Sequence, residues 1–195
     1  ARRVTDGRLP PAVRSATFQG RVWAAPLNGN AQLLWYRKDL VPTPPATWDE
    51  LLTQSRALGP QGTIQTQGAR YEGLTVLFNS LLTSAGGHLV SDDGSQVVLE
   101  EGPTKQALAV LRDFGTSAAA PPGLSTAKED DARLGYEAGS SAFELNYGFI
   151  YASASKKKPE LAAQTGWARW PGVVPGRPST VTYGGFNLGV GAFTA

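Results

Sequence analysis

The 195-residue chain has the length of one large domain or two small ones, and with 41% hydrophobic and 17% charged residues it can bury a core, which excludes a disordered chain or a coiled coil. Eighteen Lys and Arg against sixteen Asp and Glu leave a net charge of +2, too little for a nucleic-acid footprint. With no cysteine there is no disulfide framework, thiol nucleophile or Cys-ligated zinc, and no apolar run approaches the eighteen residues of a membrane span. The opening residues, Ala1-Arg2-Arg3-Val4-Thr5-Asp6, carry neither an apolar signal core nor a cleavage pattern. The lack of any Met in so long a chain is what a piece of a longer protein would show.

Gly (23) and Pro (14) punctuate the chain often, so short and numerous elements are expected. Thr17-Phe18 and Arg21-Val22 flank Gln19-Gly20 as a hairpin, and Gln32-Leu33-Leu34-Trp35-Tyr36 is a more buried strand. Thr47-Trp48-Asp49-Glu50 is a capping box: the Thr47 hydroxyl can accept from the Glu50 amide while the Glu50 carboxylate reaches back. The helix it opens ends at Gly59-Pro60. Leu74, Leu77, Phe78, Leu81 and Leu82 form one helical stripe that Gly86-Gly87 terminates. Leu89-Val90 and Gln96-Val97-Val98-Leu99 are expected to pair around the acidic tip Ser91-Asp92-Asp93-Gly94, which lacks the ligand spacing of a calcium loop.

A helix follows from Pro103 to Phe114 with Ala107, Leu108 and Leu111 inward, and a shorter one over residues 128–139 carries its acids in the first turn. Ser141-Ala142-Phe143-Glu144-Leu145 is a strand running into a helix or turn at residues 147–152, after which Lys156-Lys157-Lys158 reads as a solvated loop. Residues 167–170 and 180–188 are the last strands. Alternation of strands and helices makes the fold α/β.

Catalytic patterns are weak. His88 is the single histidine and no Gly-x-Ser-x-Gly elbow accompanies it; no phosphate-binding loop occurs, and Gly189-Val190-Gly191 lacks the remainder of a dinucleotide fingerprint. Glycoside cleavage needs two converging carboxylates, and Glu144 alone has a strand-end context. Sugar recognition is better supplied, because carboxylates and amides meet hydroxyls while aromatic faces cover the apolar side of a pyranose. Such residues recur at turns and strand ends: Asn28 and Asn30, Tyr71-Glu72, Glu144-Leu145-Asn146-Tyr147, and Gly184-Gly185-Phe186-Asn187. Glu144 lies among apolar residues and is expected to be either a ligand contact or one member of an ion pair.

The run from Trp23 through Leu40, Pro44-Pro45-Ala46-Thr47-Trp48-Asp49-Glu50-Leu51, Tyr71-Glu72-Gly73-Leu74, Phe78-Asn79, Ala85-Gly86-Gly87, residues 137–143 and Gly184-Gly185-Phe186-Asn187-Leu188 together resemble the sugar-binding extracellular solute-binding proteins of ABC importers, in order and over nearly the whole chain. Glu144-Leu145-Asn146 and residues 170–176 look most like the trehalose-binding lipoproteins of actinobacteria within that family. Tyr147 stands where the trehalose type usually has Trp, and Phe186 where it has Leu.

The resemblance implies a periplasmic-binding-protein-like lobe of type II, a mixed sheet flanked by helices, and the second lobe of a two-lobed protein about twice as long. Residues 1–30 would hold the end of the first-lobe connection and a hinge crossing, 31–182 the second lobe, and 183–195 the returning hinge strand. It further implies a non-enzymatic, monomeric receptor without cofactor or metal. This receptor takes a di- or oligosaccharide of the maltose or trehalose kind into an interlobe cleft and delivers it to the transmembrane subunits of an ABC permease. Its place would be outside the cytoplasm, with the parent anchored as a lipoprotein, and nucleic acid would be no partner. The implied contacts are Asn28, Asn30, Tyr71, Glu72, Asn79, Glu144, Asn146, Tyr147, Phe149, Gly184, Gly185 and Phe186. A glycoside hydrolase using Glu144 and a sugar-sensing module outside transport are the competing readings.

Overall fold

The computed structural model describes residues 2–193. They divide into two compact units, one made of the residues up to Ala31 with those from Tyr183 onward, the other of residues Gln32–Thr182. The chain starts in the smaller unit with helices α1 (Arg2–Thr5) and α2 (Pro10–Ser15) and the ribbon strands β1 (Thr17–Phe18), β2 (Arg21–Val22) and β3 (Ala25–Asn30). The larger unit follows as β4 (Leu33–Arg37), α3 (Trp48–Ala57), β5 (Ile64–Gln65), α4 (Glu72–Ser84), α5 (Glu101–Gly115), α6 (Glu129–Glu137), β6 (Phe143–Asn146), α7 (Phe149–Lys157), α8 (Pro159–Gln164) and β7 (Thr165–Ala168). The final strand, β8 (Gly184–Leu188), belongs to the smaller unit.

In the smaller unit the expected hairpin forms, with Thr17 opposite Val22 and Phe18 opposite Arg21. Its turn residues Gln19 and Gly20 both have positive φ, +48° and +73°. That is the backbone twist a two-residue hairpin loop requires. Strand β3 pairs antiparallel with β8 and is bulged between Pro26 and Asn28, where proline has no N–H for the ladder. The Asn28 Oδ1 accepts the Phe186 N–H at 2.9 Å and so carries the register through the bulge. Tyr183 occupies the space a side chain at position 29 would need, which makes Gly29 obligatory for this packing.

The larger unit is built on a mixed sheet of order β5-β6-β4-β7. Strand β4 runs antiparallel to both β6 and β7, and β5 runs parallel to β6. Period-two alternation gives the sheet two unlike faces. On one, Ile64, Phe143, Leu145 and Leu34 join Trp48, Leu51, Leu77, Leu81, Phe114 and Trp170 in a continuous buried core with α3, α4 and α5. On the other, Gln65, Glu144, Trp35 and Trp167 form one cross-strand row. Helix α6 covers part of this second face. Gly135 on α6 permits a close approach, since a Cβ there would fall 2.6 Å from the Gln65 amide, whose Nε2 donates to Ser141 Oγ at 2.8 Å.

Helix α3 starts as its sequence demands, with the Glu50 N–H on Thr47 Oγ1 at 3.2 Å. The Glu50 carboxylate reaches one residue further back than a capping box does and accepts from the Ala46 N–H at 2.7 Å. Positive φ at Gly59 (+57°) and Gly86 (+92°) ends α3 and α4 as expected. Three expectations are corrected, and a fourth is met in reduced form. Leu108 is 51% exposed, because the inward stripe of α5 follows Ala107, Val110, Leu111 and Phe114 and leaves Leu108 to one side. The segments around the acidic tip do pair, through the antiparallel bridge Val90 to Val97 and the bonds of the Ser91 N–H to the Gln96 carbonyl at 2.9 Å and of the Val98 N–H to the Leu89 carbonyl at 3.0 Å, but without forming full strands, and the tip is organised by Asp93, which accepts from Ser91 and Ser95. Lys156 and Lys157 lie in the last turn of α7, where cations suit the helix dipole. The final strand begins only at Gly184; the amides of Thr180 and Thr182 are bonded instead to the hydroxyls of Ser84 and Ser80 on α4.

Gly135→Ala sets two effects against each other. Helix propensity favours alanine by about 1 kcal/mol, whereas forcing a methyl into a filled site costs about 1–3 kcal/mol, and the Gln65 side chain it meets is buried and hydrogen-bonded. The variant is expected to be less stable by about 1 kcal/mol in urea unfolding. A gain in stability would show that the Gln65 contact yields freely.

Candidate functional site

Three element ends of the larger unit meet at the carboxyl end of β6. Tyr71 is the N-cap of α4, Lys128 the N-cap of α6, and Asn146 closes β6 before the corner at Tyr147 and Gly148 that leads into α7. Asn146 joins two of them directly: its Nδ2 donates to the Glu129 carbonyl at 3.0 Å, and its Oδ1 accepts the Tyr147 N–H at 2.9 Å. The third is joined through Lys128, whose Nζ lies 5.4 Å from the centroid of the Tyr71 ring, within cation–π range. The Tyr71 ring folds back over Gly73, where a Cβ would collide with it.

Electrostatics place Glu72 and Glu129 beside the two phenols. Burial first, then the Glu129 and Glu72 carboxylates, push the Tyr71 hydroxyl above its ordinary range. Tyr147 is pushed up to about 12 by burial and by the same two carboxylates. Both phenols are therefore neutral donors throughout the physiological range. Phe149, the first residue of α7, is 41% exposed.

Beneath this surface Glu144 and Asn146 are fully buried. Glu144 Oε1 accepts from Asn146 Nδ2 at 2.7 Å, while Oε2 has no hydrogen-bond partner among the described residues. Burial pushes the carboxyl up to about 8; the Asn146 hydrogen bond opposes this, and the charge of Glu137 adds to it. Glu144 is thus largely a neutral acid at pH 7, and it makes no ion pair among the described residues. Arg133 at its side is engaged with Asp130 and Glu137.

Tyr71, Glu72, Glu144, Asn146, Tyr147 and Phe149, singled out from the sequence, fall in this one region. Asn79 lies two turns along α4 from Glu72, and its Nδ2 is given to Thr182 Oγ1 at 2.9 Å. Glu72 and Asn79 also line a cavity of about 460 Å³ with Thr75, Val76, His88 and Leu89. Asn28, Asn30, Gly184, Gly185 and Phe186 all lie on the β3–β8 ribbon of the smaller unit, with Phe186 66% exposed.

Sequence reasoning missed Lys128 and Glu129, whose placement beside Tyr71 depends on where α6 docks. It also missed an aromatic cluster. Trp35 stacks on Tyr151 with centroids 6.2 Å apart, and Trp167 meets Tyr151 edge-on at 5.9 Å.

A folded-state carboxyl raised above its ordinary value binds an extra proton on folding, so its contribution to stability is complete below about pH 4.5 and is lost as pH rises through about 8. Glu144→Gln keeps the shape and removes the titration. Its stability at pH 7 to 8 is expected to exceed that of the parent by about 2–4 kcal/mol, shrinking to nothing near pH 4. Parallel stability curves from urea melts across this range would contradict the buried-acid account.

Residues 3–194 match the bacterial extracellular solute-binding protein family. A probable ABC transporter-binding protein of Deinococcus radiodurans is 32% identical over 200 residues, covering 95% of this chain and 47% of that relative. Among solved structures, the maltose-bound MalE3 of T. maritima superposes with a TM-score of 0.85 at 33% identity, covering 96% of this chain and 50% of the other. The GacH receptor of Streptomyces glaucescens, solved unliganded and with acarbose, shares the fold at a TM-score of 0.76 and 21% identity, over 97% of this chain and 52% of its own. The chain thus spans about half the length of its relatives, and its mixed α/β architecture is that of type II periplasmic-binding-protein-like folds, as the resemblance led one to expect. It belongs to the bacterial extracellular solute-binding protein family.

Proposed function

We propose that the protein containing this chain is the sugar-binding component of an ABC importer, and that it captures a di- or oligosaccharide of the maltose or trehalose kind for delivery to the transmembrane permease subunits. The observation that carries this reading is the convergence of Tyr71, Tyr147 and Phe149 with the carboxylates of Glu72 and Glu129 at the carboxyl end of β6. Aromatic faces cover the apolar face of a pyranose, and carboxylates accept from its paired hydroxyls. The 33%-identical relative solved with maltose supports the same class of ligand.

In this reading Tyr147 and Phe149 are the platform, Tyr71, its hydroxyl enclosed, backs the site, and Glu72 and Glu129 accept from the sugar. Residues 31–182 form the second lobe of a two-lobed parent. Asn28, Asn30, Gly184, Gly185 and Phe186 belong to hinge crossings, at residues 1–30 and 183–195, whose small residues absorb the backbone change of closure. The parent works as a monomer outside the cytoplasm, held at the membrane as a lipoprotein, and binds without chemistry. Hydrolysis by Glu144 has little support, because that carboxyl is enclosed and bonded to Asn146.

Calorimetry of the whole gene product against trehalose, maltose and maltotriose, with product analysis of the same samples, is the test. One sugar is expected to bind without being cleaved, and Phe149→Ala, at a half-exposed position, is expected to weaken it by about 1–2 kcal/mol with unchanged melting. Release of reducing sugar, or silence across the panel, would overturn the reading.

A further inference from the structure

Asn146 is bonded at both polar atoms of its side chain and at its backbone carbonyl. Its Oδ1 accepts the Tyr147 N–H at 2.9 Å, its Nδ2 donates to the Glu129 carbonyl at 3.0 Å and to Glu144 Oε1 at 2.7 Å, and its backbone carbonyl accepts the Trp35 indole N–H at 2.9 Å. The amide has one orientation. Rotated by half a turn, it would set N–H groups against the Tyr147 N–H and an oxygen against the Glu129 carbonyl and Glu144 Oε1. Glu144 is what fixes the second Nδ2 proton, and both side chains are fully buried. The atoms they hold are the backbone of the Tyr147 corner and of the first turn of α6, the two places from which the surface groups Tyr147 and Glu129 project.

We infer that the Glu144–Asn146 pair is a positioning device for the saccharide surface, fixing Tyr147 and Glu129 relative to each other without touching the sugar. This rests on the proposed function for its ligand, though not for its geometry. Glutamine at 144 retains a carbonyl oxygen where Oε1 accepts, so it serves in place of glutamate. A carboxylate that bound sugar hydroxyls directly could not be replaced in this way.

The test uses the whole gene product and two readouts. Hydrogen exchange without ligand reads the Tyr147 amide and residues 129–132, with α3 as the control for global stability. Calorimetry with maltose, maltotriose and trehalose reads affinity. Asn146→Ala is expected to speed exchange at Tyr147 and at the start of α6 at least tenfold while α3 is unchanged, and to weaken the sugar that the parent binds at least tenfold. Glu144→Gln is expected to exchange no faster than the parent at these sites and to bind the sugar within about twofold of it. Equal losses of affinity in the two variants would make Glu144 a direct contact and overturn the inference. So would parental exchange in Asn146→Ala, or exchange raised equally in α3. A parent that binds none of the three sugars defeats the receptor reading, while the exchange arm still decides the positioning role.

Discussion

Strand β6 must serve two faces with four residues. Phe143 and Leu145 enter the apolar core, so the pleat commits Glu144 and Asn146 to the opposite face, where all four residues are still buried. A carboxyl and an amide in such a place are costly unless they are bonded. Their bonds to each other, to the start of α6 and to the Tyr147 corner therefore do more than satisfy polar atoms: they dictate where the neighbouring elements can lie.

The rest of the larger unit follows from that division. The apolar face recruits α3, α4 and α5, with Trp48 packed between Phe114 and Trp170. The polar face recruits α6, whose Gly135 admits the Gln65 side chain and whose Tyr136 hydroxyl bonds to Thr165 Oγ1 at 3.1 Å. Docking α6 there brings Lys128 and Glu129 to the end of β6. A site lined with phenols and carboxylates is thus a consequence of how a two-faced sheet satisfies its polar side, and only its outermost side chains are free to choose a ligand.

Much of this was legible locally. Gln19-Gly20, Thr47 with Glu50, the leucine stripe of α4 and the stops at Gly59 and Gly86 each state a short-range rule, and each is met with small shifts. Non-local bonds defeated the other readings. Residues 180–182 have strand-like composition, yet Thr180 and Thr182 are tied to Ser84 and Ser80 about a hundred positions earlier. Leu108 reads as inward by its apolar side chain, but the stripe of α5 that meets the core runs through Ala107, Val110, Leu111 and Phe114 and leaves it half exposed. Glu144 was recognised as expensive to bury, but the sequence could not show that Asn146, two residues on and on the same face, is its partner. Lys128 and Glu129 read as ordinary first-turn residues until the docking of α6 set them beside Tyr71.

The most direct measurement of the central claim is a crystal structure of the whole gene product grown with the sugar it binds most tightly. The account predicts a pyranose ring against Tyr147 and Phe149, hydroxyls on Glu72 and Glu129, and Glu144 still enclosed against Asn146. A sugar seated away from the end of β6, or Glu144 turned out onto the ligand, would contradict it.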